Sequence, residues 1–432
     1  MSGTGGRVSS IRDVAERQLC SGCGACAYIS PDEIEMIDMV EFGRRPLVAD
    51  DPQDPRTGEA LAVCPGAGLS HDVRAMPRGL LPELLPAWGP VLSVWEGHAT
   101  HPDVRFQASS GGAATALALA CIEEAGMHGV LHARARRDVP YLNETTLSHT
   151  RAELLAATGS RYAPASPCEG LERIASAPGP CVFIGKPCDV AAAERARRLR
   201  PDLDARLGLT VAMFCAGTPS TRGTLAMMER FGIEDPSAVT SVRYRGRGWP
   251  GLARVSLHRP DGSEVEHTAT YAESWDLLQR YRQWRCYVCA DHTGEFADVA
   301  VGDPWYREIP EDEPGRSLVL VRSERGRRAV RLAVDKGHLT LEPSTPDIVF
   351  RSQPELLRTR GAIAGRMLTT RVFGVATPRY RGLPIWRFWW SQLSLRQKLQ
   401  SLFGTAKRVF RKRLRERVTI QRDAASSDGE AG

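Results

Sequence analysis

Four cysteines near the start of the chain have types and spacing suited to iron. Cys20-Ser-Gly-Cys23-Gly-Ala-Cys26-Ala-Tyr-Ile-Ser30-Pro31 follows the bacterial iron–sulfur run C-x2-C-x2-C-x3-C-P, with serine in place of the fourth cysteine. In proteins with two clusters the fourth cysteine of a run ligates the other cluster, so Ser30 removes a ligand from the partner cluster and leaves the first intact. That first cluster still needs a fourth thiolate. Leu61-Ala-Val-Cys64-Pro65-Gly66 supplies a Cys-Pro with no cysteine before it back to Cys26. The spacing therefore predicts one [4Fe-4S] cluster on Cys20, Cys23, Cys26 and Cys64. Gly22 and Gly24 permit the tight turns and sulfur-directed N–H groups that a chain wrapped round a cubane needs. Zinc is the competing metal, and this spacing suits it poorly.

Four later thiols sit where strands and loops end. Pro180-Cys-Val-Phe-Ile-Gly185 reads as a buried strand that delivers Lys186-Pro187-Cys188-Asp189, and Leu207 to Phe214 as a second that delivers Cys215. Cys286-Tyr-Val-Cys289 follows. Sites in α/β folds assemble at the carboxyl ends of strands, so Cys188, Cys215, Cys286 and Cys289 are candidate ligands of a second [4Fe-4S] cluster. A redox disulfide or half a zinc site at Cys286 and Cys289, beside two small core cysteines, fits the spacing about as well. Cys121, Cys168 and Cys181 read as small buried hydrophobes.

A third site is expected between residues 91 and 170, where strand, loop and helix follow one another. Ser109 and Ser110 are helix N-cap candidates, and Gly111 and Gly112 let a ligand approach the positive end of the Ala-rich helix that contains Thr115. That arrangement holds phosphates, though an ordinary capped helix start reads the same way. Ser160, Arg161 and Tyr162 offer hydroxyl, guanidinium and ring contacts to the same ligand. No G-x-G-x-x-G appears, so nothing points to NAD. Arg243 to Gly251 is a turn between strands, or a loop that closes over a flat anion.

The elements needed to position these groups are an α/β (α+β) catalytic body, a small N-terminal ferredoxin-like iron–sulfur domain and a basic helical tail. Boundaries are expected at 1–75 for the cluster domain, 90–230 and 231–375 for the two halves of the body, the second carrying the C-x-x-C, and 376–432 for the tail, whose end from residue 423 reads as disordered. From Arg379 to Arg422 the tail holds thirteen Lys or Arg and one acidic residue, about +12, in a chain of net charge +6, so the body is mildly acidic. Leu395, Leu399, Leu402, Phe403 and Phe410 recur at helical spacing after an aromatic cluster at Trp386, Trp389 and Trp390, which reads as a membrane-surface anchor, a docking helix, or a helix packed on the body. An acidic body without a DNA-binding motif excludes nucleic acid. No apolar run approaches the ~20 residues that span a bilayer, and no signal pattern is visible, so the expected location is cytoplasmic, with the inner membrane face open to the tail.

Seven segments in order, CSGCGAC, ASSGGAATALA, GSRYAP, FIGKPCDVAA, FCAGTPS, YRGRGWPG and CYVCADHTGEFADVAVGDPW, resemble the beta-subunit family of the deazaflavin coenzyme F(420) hydrogenases and dehydrogenases, which includes the 7-hydroxymethyl chlorophyll a reductase branch. The resemblance runs from about Cys20 to Val321. It implies FAD near Ser109 to Thr115, Ser160 to Tyr162 and Gly185 to Pro187, with two [4Fe-4S] clusters and Asp303 close to the second. Lys186 departs from the small or polar residue expected there, and is a candidate for placing positive charge by a reduced flavin. The implied function is an FAD- and [4Fe-4S]-dependent oxidoreductase that passes electrons between a ferredoxin-like donor or partner redox subunit and a small organic substrate or deazaflavin. The alternative is a non-catalytic electron-transfer subunit.

Overall fold

The computed structural model describes residues 8–72, 76–259, 261–308, 310 and 313–423. All but the first residue of the end expected to be disordered lies outside the described residues. The centre is an eight-stranded mixed sheet in the spatial order Leu339–Ser344, Ser93–Ala99, Ser317–Val321, Val299–Gly302, Leu207–Met213, Cys181–Gly185, Gly129–Ala135 and Asn143–Ser148. The strands from Val299–Gly302 through Gly129–Ala135 run parallel, and antiparallel pairs complete both edges. The central strands are apolar without alternation because both faces are covered. Val182, Val299, Val301, Val319 and Val321 enter the core beneath helices Ala113–Glu123 and Glu324–Asp335. Phe183, Ala300, Leu318 and Leu320 enter the core on the opposite face, with helix Pro187–Ala196. An α/β body is therefore correct, as a mixed sheet.

Before the sheet come helix Ile11–Glu16, helix Ala25–Ile29, the hairpin Ile34–Met39 with Gly43–Val48, and helix Arg56–Val63. These pack into the body: one core cluster contains Ile11, Val14 and Ile29 together with Leu171, Val190, Val349 and Val409. Gly24 allows that approach, since a Cβ there would stand 2.8 Å from the Glu169 nitrogen. Across the sheet's other flank, the antiparallel strands Val239–Arg243, Leu252–His258 and Glu264–Thr270 lead into helix Tyr271–Leu278, which begins with a capping box of Thr270 and Glu273.

Helix Pro354–Val372 packs against the two tail helices, Ile385–Gln392 and Leu395–Arg411. Arg360 fixes it to the body through Glu295 and the Ala290 carbonyl (2.7 Å). The last described residues return to the beginning of the chain: Val418 N–H donates to the Glu16 carbonyl (2.9 Å), Arg417 pairs with Asp13 (2.9 Å) and with Glu16, and Arg422 pairs with Glu35 (2.6 Å). Among the described residues no helix is long and apolar enough to cross a membrane.

Candidate redox centre

Cys20, Cys23, Cys26 and Cys64, which sequence spacing grouped, line one small cavity with Ile11, Val14 and Pro46. All four are buried. Backbone N–H groups point at their sulfurs: Gly22 donates to the Cys20 Sγ (3.3 Å), Ala25 to Cys23, Ala27 to Cys26, and both Gly66 and Ala67 to Cys64. Gly22 has a positive φ (74°), which glycine adopts without strain in the turn that carries this N–H. Burial and neighbouring thiols push Cys26 well up and Cys64 up to about 12. Among the described residues no three His, Cys, Asp or Glu side chains converge on a position for a single metal ion. A cubane makes a different demand, because each thiolate binds its own iron and the sulfurs stand round a cage. Ser30 lies away from this cavity and bonds Thr57 (3.0 Å) and Asp54 (3.4 Å).

Cys188, Cys215, Cys286 and Cys289 also come together. Cys188 is shifted up by burial and by Asp189, with Cys215 and Cys289 adding to the effect, and Cys215 goes up to about 12 through burial and then Cys286. Each of the four is only partly buried. Thr218 N–H donates to the Cys286 Sγ (3.3 Å), and the Cys289 thiol donates to the Asp291 carbonyl (3.1 Å).

Two arginines with no carboxylate partner among the described residues join these sets. Arg285, next to Cys286, donates to the carbonyl of Pro65, next to Cys64, at 2.7 Å and to Tyr380 Oη at 3.0 Å. Arg45 is 1% exposed, donates to Gln283 Oε1 (3.0 Å), and lies in the fields of both Cys20 and Cys286. Neither was singled out in the sequence. Arginines in a chain rich in them carry no local signal, and only the fold brings residue 45 beside residue 283.

Cys215 also borders a third space, a cavity of about 280 Å³. Ser109, Ser110, Gly112 and Thr115 form part of its wall, as do Ser160, Arg161, Tyr162, Gly185 and Lys186. Gly111 and Pro187 are not part of that wall. Gly111 packs on the strand at Ser317, whose Oγ accepts its N–H (2.9 Å), and Pro187 is buried in the first turn of its helix. The two serines do not cap the helix. Gly112 occupies the N-cap, Ser109 Oγ accepts from Ser160 N–H (2.8 Å), and Ser110 Oγ donates to Asp303 (2.7 Å). First-turn N–H groups at Ala114 and Thr115 lack partners within the helix and stand at the wall, so the anion-binding character survives without the serine caps.

Arg161 departs from the expected guanidinium contact. Its donors go to Asn143 Oδ1 (2.7 Å) and to the carbonyls of Val242 (2.6 Å) and Pro140 (2.7 Å), which makes it a strut. Lys186 also faces the cavity, bonded to Asp189 at 2.7 Å. Burial opposes its charge, but Asp189 and the thiols of Cys188 and Cys215 outweigh burial and raise its pKa.

Arg245, from the loop over residues 243–251, makes a two-point bond to Asp303 (both 2.9 Å) and lies over the rings of Tyr271 (5.0 Å) and Trp305 (5.5 Å). Trp249 Nε1 gives Asp303 another bond (2.7 Å), and its ring stacks on Trp305 at 5.4 Å. The loop is thus both a strand connection and an aromatic, cationic edge to the cavity. Asp303 belongs to this edge, its carboxylate bonded by Arg245, Ser110 and Trp249.

Residues 94–171 match the N-terminal part, and residues 180–347 the C-terminal part, of the family described as coenzyme F420 hydrogenase/dehydrogenase, beta subunit. The chain belongs to that family. Its relatives include a coenzyme F420 hydrogenase subunit beta from Methanosarcina barkeri, 24% identical over 264 residues, or 60% of this chain and 84% of the relative. An uncharacterized protein of Methanocaldococcus jannaschii is 24% identical over 384 residues, or 81% of this chain and 96% of that one. The fold of this beta-subunit family member resembles a chain of the F420-reducing [NiFe] hydrogenase complex from Methanosarcina barkeri, with a TM-score of 0.52 at 20% identity over 69% of this chain and 98% of that one. Its family is one named for the beta subunits of hydrogenases and dehydrogenases. Cys20 to Cys64 and the residues after 347 lie outside the two matched segments.

Proposed function

We propose that the chain is an iron–sulfur flavoprotein that moves electrons between a one-electron donor and an organic two-electron acceptor. Cys20, Cys23, Cys26 and Cys64 would hold one [4Fe-4S] cluster, and Cys188, Cys215, Cys286 and Cys289 a second. The observation that carries the reading is the sharing of residues between sites. Cys215 belongs to the second thiol set and to the wall of the cavity, while Arg285 joins that set to the first. Three sites in contact form a path.

The residues fit the groups. Buried thiols with raised pKa values, as at Cys26 and Cys64, are inert by themselves, and sulfur-directed N–H groups are what anionic cluster ligands need. FAD suits the cavity wall: Ala114 and Thr115 offer N–H groups to a phosphate, and Tyr162 stands at the wall as an aromatic contact for a flat ring. When bound, a flavin supplies the junction between single-electron and hydride chemistry.

The chain's own residues do the remainder. Lys186, kept charged by Asp189, offers positive charge where a flavin gains negative charge. Arg45 and Arg285 supply the charge that buried anionic clusters demand. The rings around Arg245, whose own charge Asp303 matches, form the edge at which a flat acceptor such as a deazaflavin or another small organic molecule would be held.

Iron, sulfide, zinc and released flavin measured on one anaerobic sample test the reading. About eight iron and one FAD per chain are expected; zinc alone, or iron without flavin, refutes the flavoenzyme. The solved neighbour is part of a hydrogenase complex, so a second reading has the chain hand electrons to a partner redox subunit and perform no substrate chemistry. Turnover by the isolated chain with a chemical reductant separates the two.

A further inference from the structure

We propose that the tail helices form a docking face for an anionic lipid surface. The proposal does not depend on the cluster and flavin assignments. Eight of the eleven strongly exposed large apolar side chains among the described residues lie between Leu368 and Phe410. On helix Leu395–Arg411 the arrangement is the reverse of ordinary packing. Thr405 and Val409 are 0% and 1% exposed and Ser401 is buried, whereas Leu395, Phe403 and Phe410 are 73%, 70% and 61% exposed. The helix thus turns Ser401, Thr405 and Val409 inward, with Leu402 packed at the border, and leaves Leu395, Leu399, Phe403 and Phe410 largely exposed, Phe410 touching Phe373 by one edge. Folding gives no reason for this orientation.

The outward residues form a stripe. At 100° per residue, Leu395, Leu399, Phe403 and Phe410 fall within about 80° of arc. Arg396 and Lys407 flank one side of that stripe and Lys398 the other. Trp390, 66% exposed, extends the face onto helix Ile385–Gln392, where Lys398 lies over its ring at 5.2 Å. The charge around the face has one sign: between Glu355 and Glu416 there is no Asp or Glu, while Arg and Lys recur throughout.

This combination matches a bilayer surface more closely than a protein partner. Apolar residues along one helical stripe, flanked by Lys and Arg that can reach headgroups and ended by Trp, describe a helix that lies in the interface plane. Anionic headgroups supply the charge that the stretch lacks. The helices are too polar on their inner faces to enter the hydrocarbon core, and none is long and apolar enough to span it. Contact is therefore peripheral.

Co-sedimentation of the full-length holoprotein with phosphatidylcholine vesicles containing phosphatidylglycerol, beside vesicles of phosphatidylcholine alone, tests the proposal. Binding to the anionic vesicles should exceed binding to neutral ones by more than about tenfold and weaken as salt is added. A Trp390→Ser, Phe403→Ser variant should lose that binding while keeping its circular dichroism and metal content, because both side chains are exposed. Equal binding to the two vesicle types, no binding, or a variant that binds like the parent overturns the proposal. So does a concentration-dependent dimer that the double variant dissolves, since a second copy would then be the occupant.

Discussion

Lys186 and Asp189 show how a single pair ties the cavity to the thiols. Asp189 is almost wholly buried and Lys186 is its cation, so Lys186→Met should destabilise the protein by about 3 kcal/mol and weaken flavin retention. Adding Asp189→Asn should recover most of the stability and none of the charge at the cavity; thermal unfolding and flavin release measured on both variants check this. Cys64→Ser should lower iron from about eight to about four per chain and leave flavin in place, read by iron analysis of the purified variant. The grouping of Cys20, Cys23, Cys26 and Cys64 was legible from spacing, and the fold places all four round one cavity. Arg161 misled because a guanidinium beside Gly and Ser suits a ligand site, and nothing local shows that Asn143 and the Val242 carbonyl will take its donors. Cys168 was read as core filling, and it is buried, but its thiol also lies beside Cys23 and bonds the Asp189 carbonyl (3.2 Å).

Elements carry the coupling between sites. Helix Trp284–Tyr287 holds both Cys286 and Arg285, so the residue that bonds Pro65 also sets the position of a thiol of the second set. Arg285→Met should lower the reduction potentials of both clusters by several tens of millivolts, since a one-electron couple moves about 59 mV per tenfold change; an EPR-monitored titration in which neither potential moves would refute it. The long helix Pro354–Val372 is held by Arg360 on Glu295, which His71 also bonds (2.7 Å). Burial works to raise the Glu295 pKa, but Arg360 and His71 outweigh it and hold the carboxylate at about 2, below its ordinary 4.5. A depressed carboxylate contributes stability above its unfolded value and loses it as pH falls toward its folded one. Glu295→Gln should therefore cost roughly 3 kcal/mol near neutrality, and the gap from the parent should narrow between about pH 4.5 and 2. Urea unfolding across that range checks it, and a constant gap would count against the pair. The parallel strands were readable from apolar runs such as Cys181–Gly185. The edge strand Leu339–Ser344 was not, because sheet order is set by contacts far apart in sequence.

At the scale of the molecule, the two ends of the described chain are held together, and the tail connects the lipid-facing stripe to the cavity of the first cysteines. Helix Ile11–Glu16 forms one wall of that cavity through Ile11 and Val14, and residues 417–422 secure the same region. Removing the residues after Lys412 should loosen this wall, so that a chelator strips iron from the first set several times faster and leaves the second unchanged, as followed by EPR. The sequence suggested a basic amphipathic tail from its periodicity, but periodicity does not say which face turns inward, and Ser401, Thr405 and Val409 settle that by burial. The strap has a further consequence for biogenesis. The contact between Glu16 and Arg417 spans 401 positions, so synthesis must pass residue 417 before the strap can brace the helix that walls the N-terminal cavity. The first cysteines are thus made long before their outer brace, and during that interval their cavity is the more easily reached.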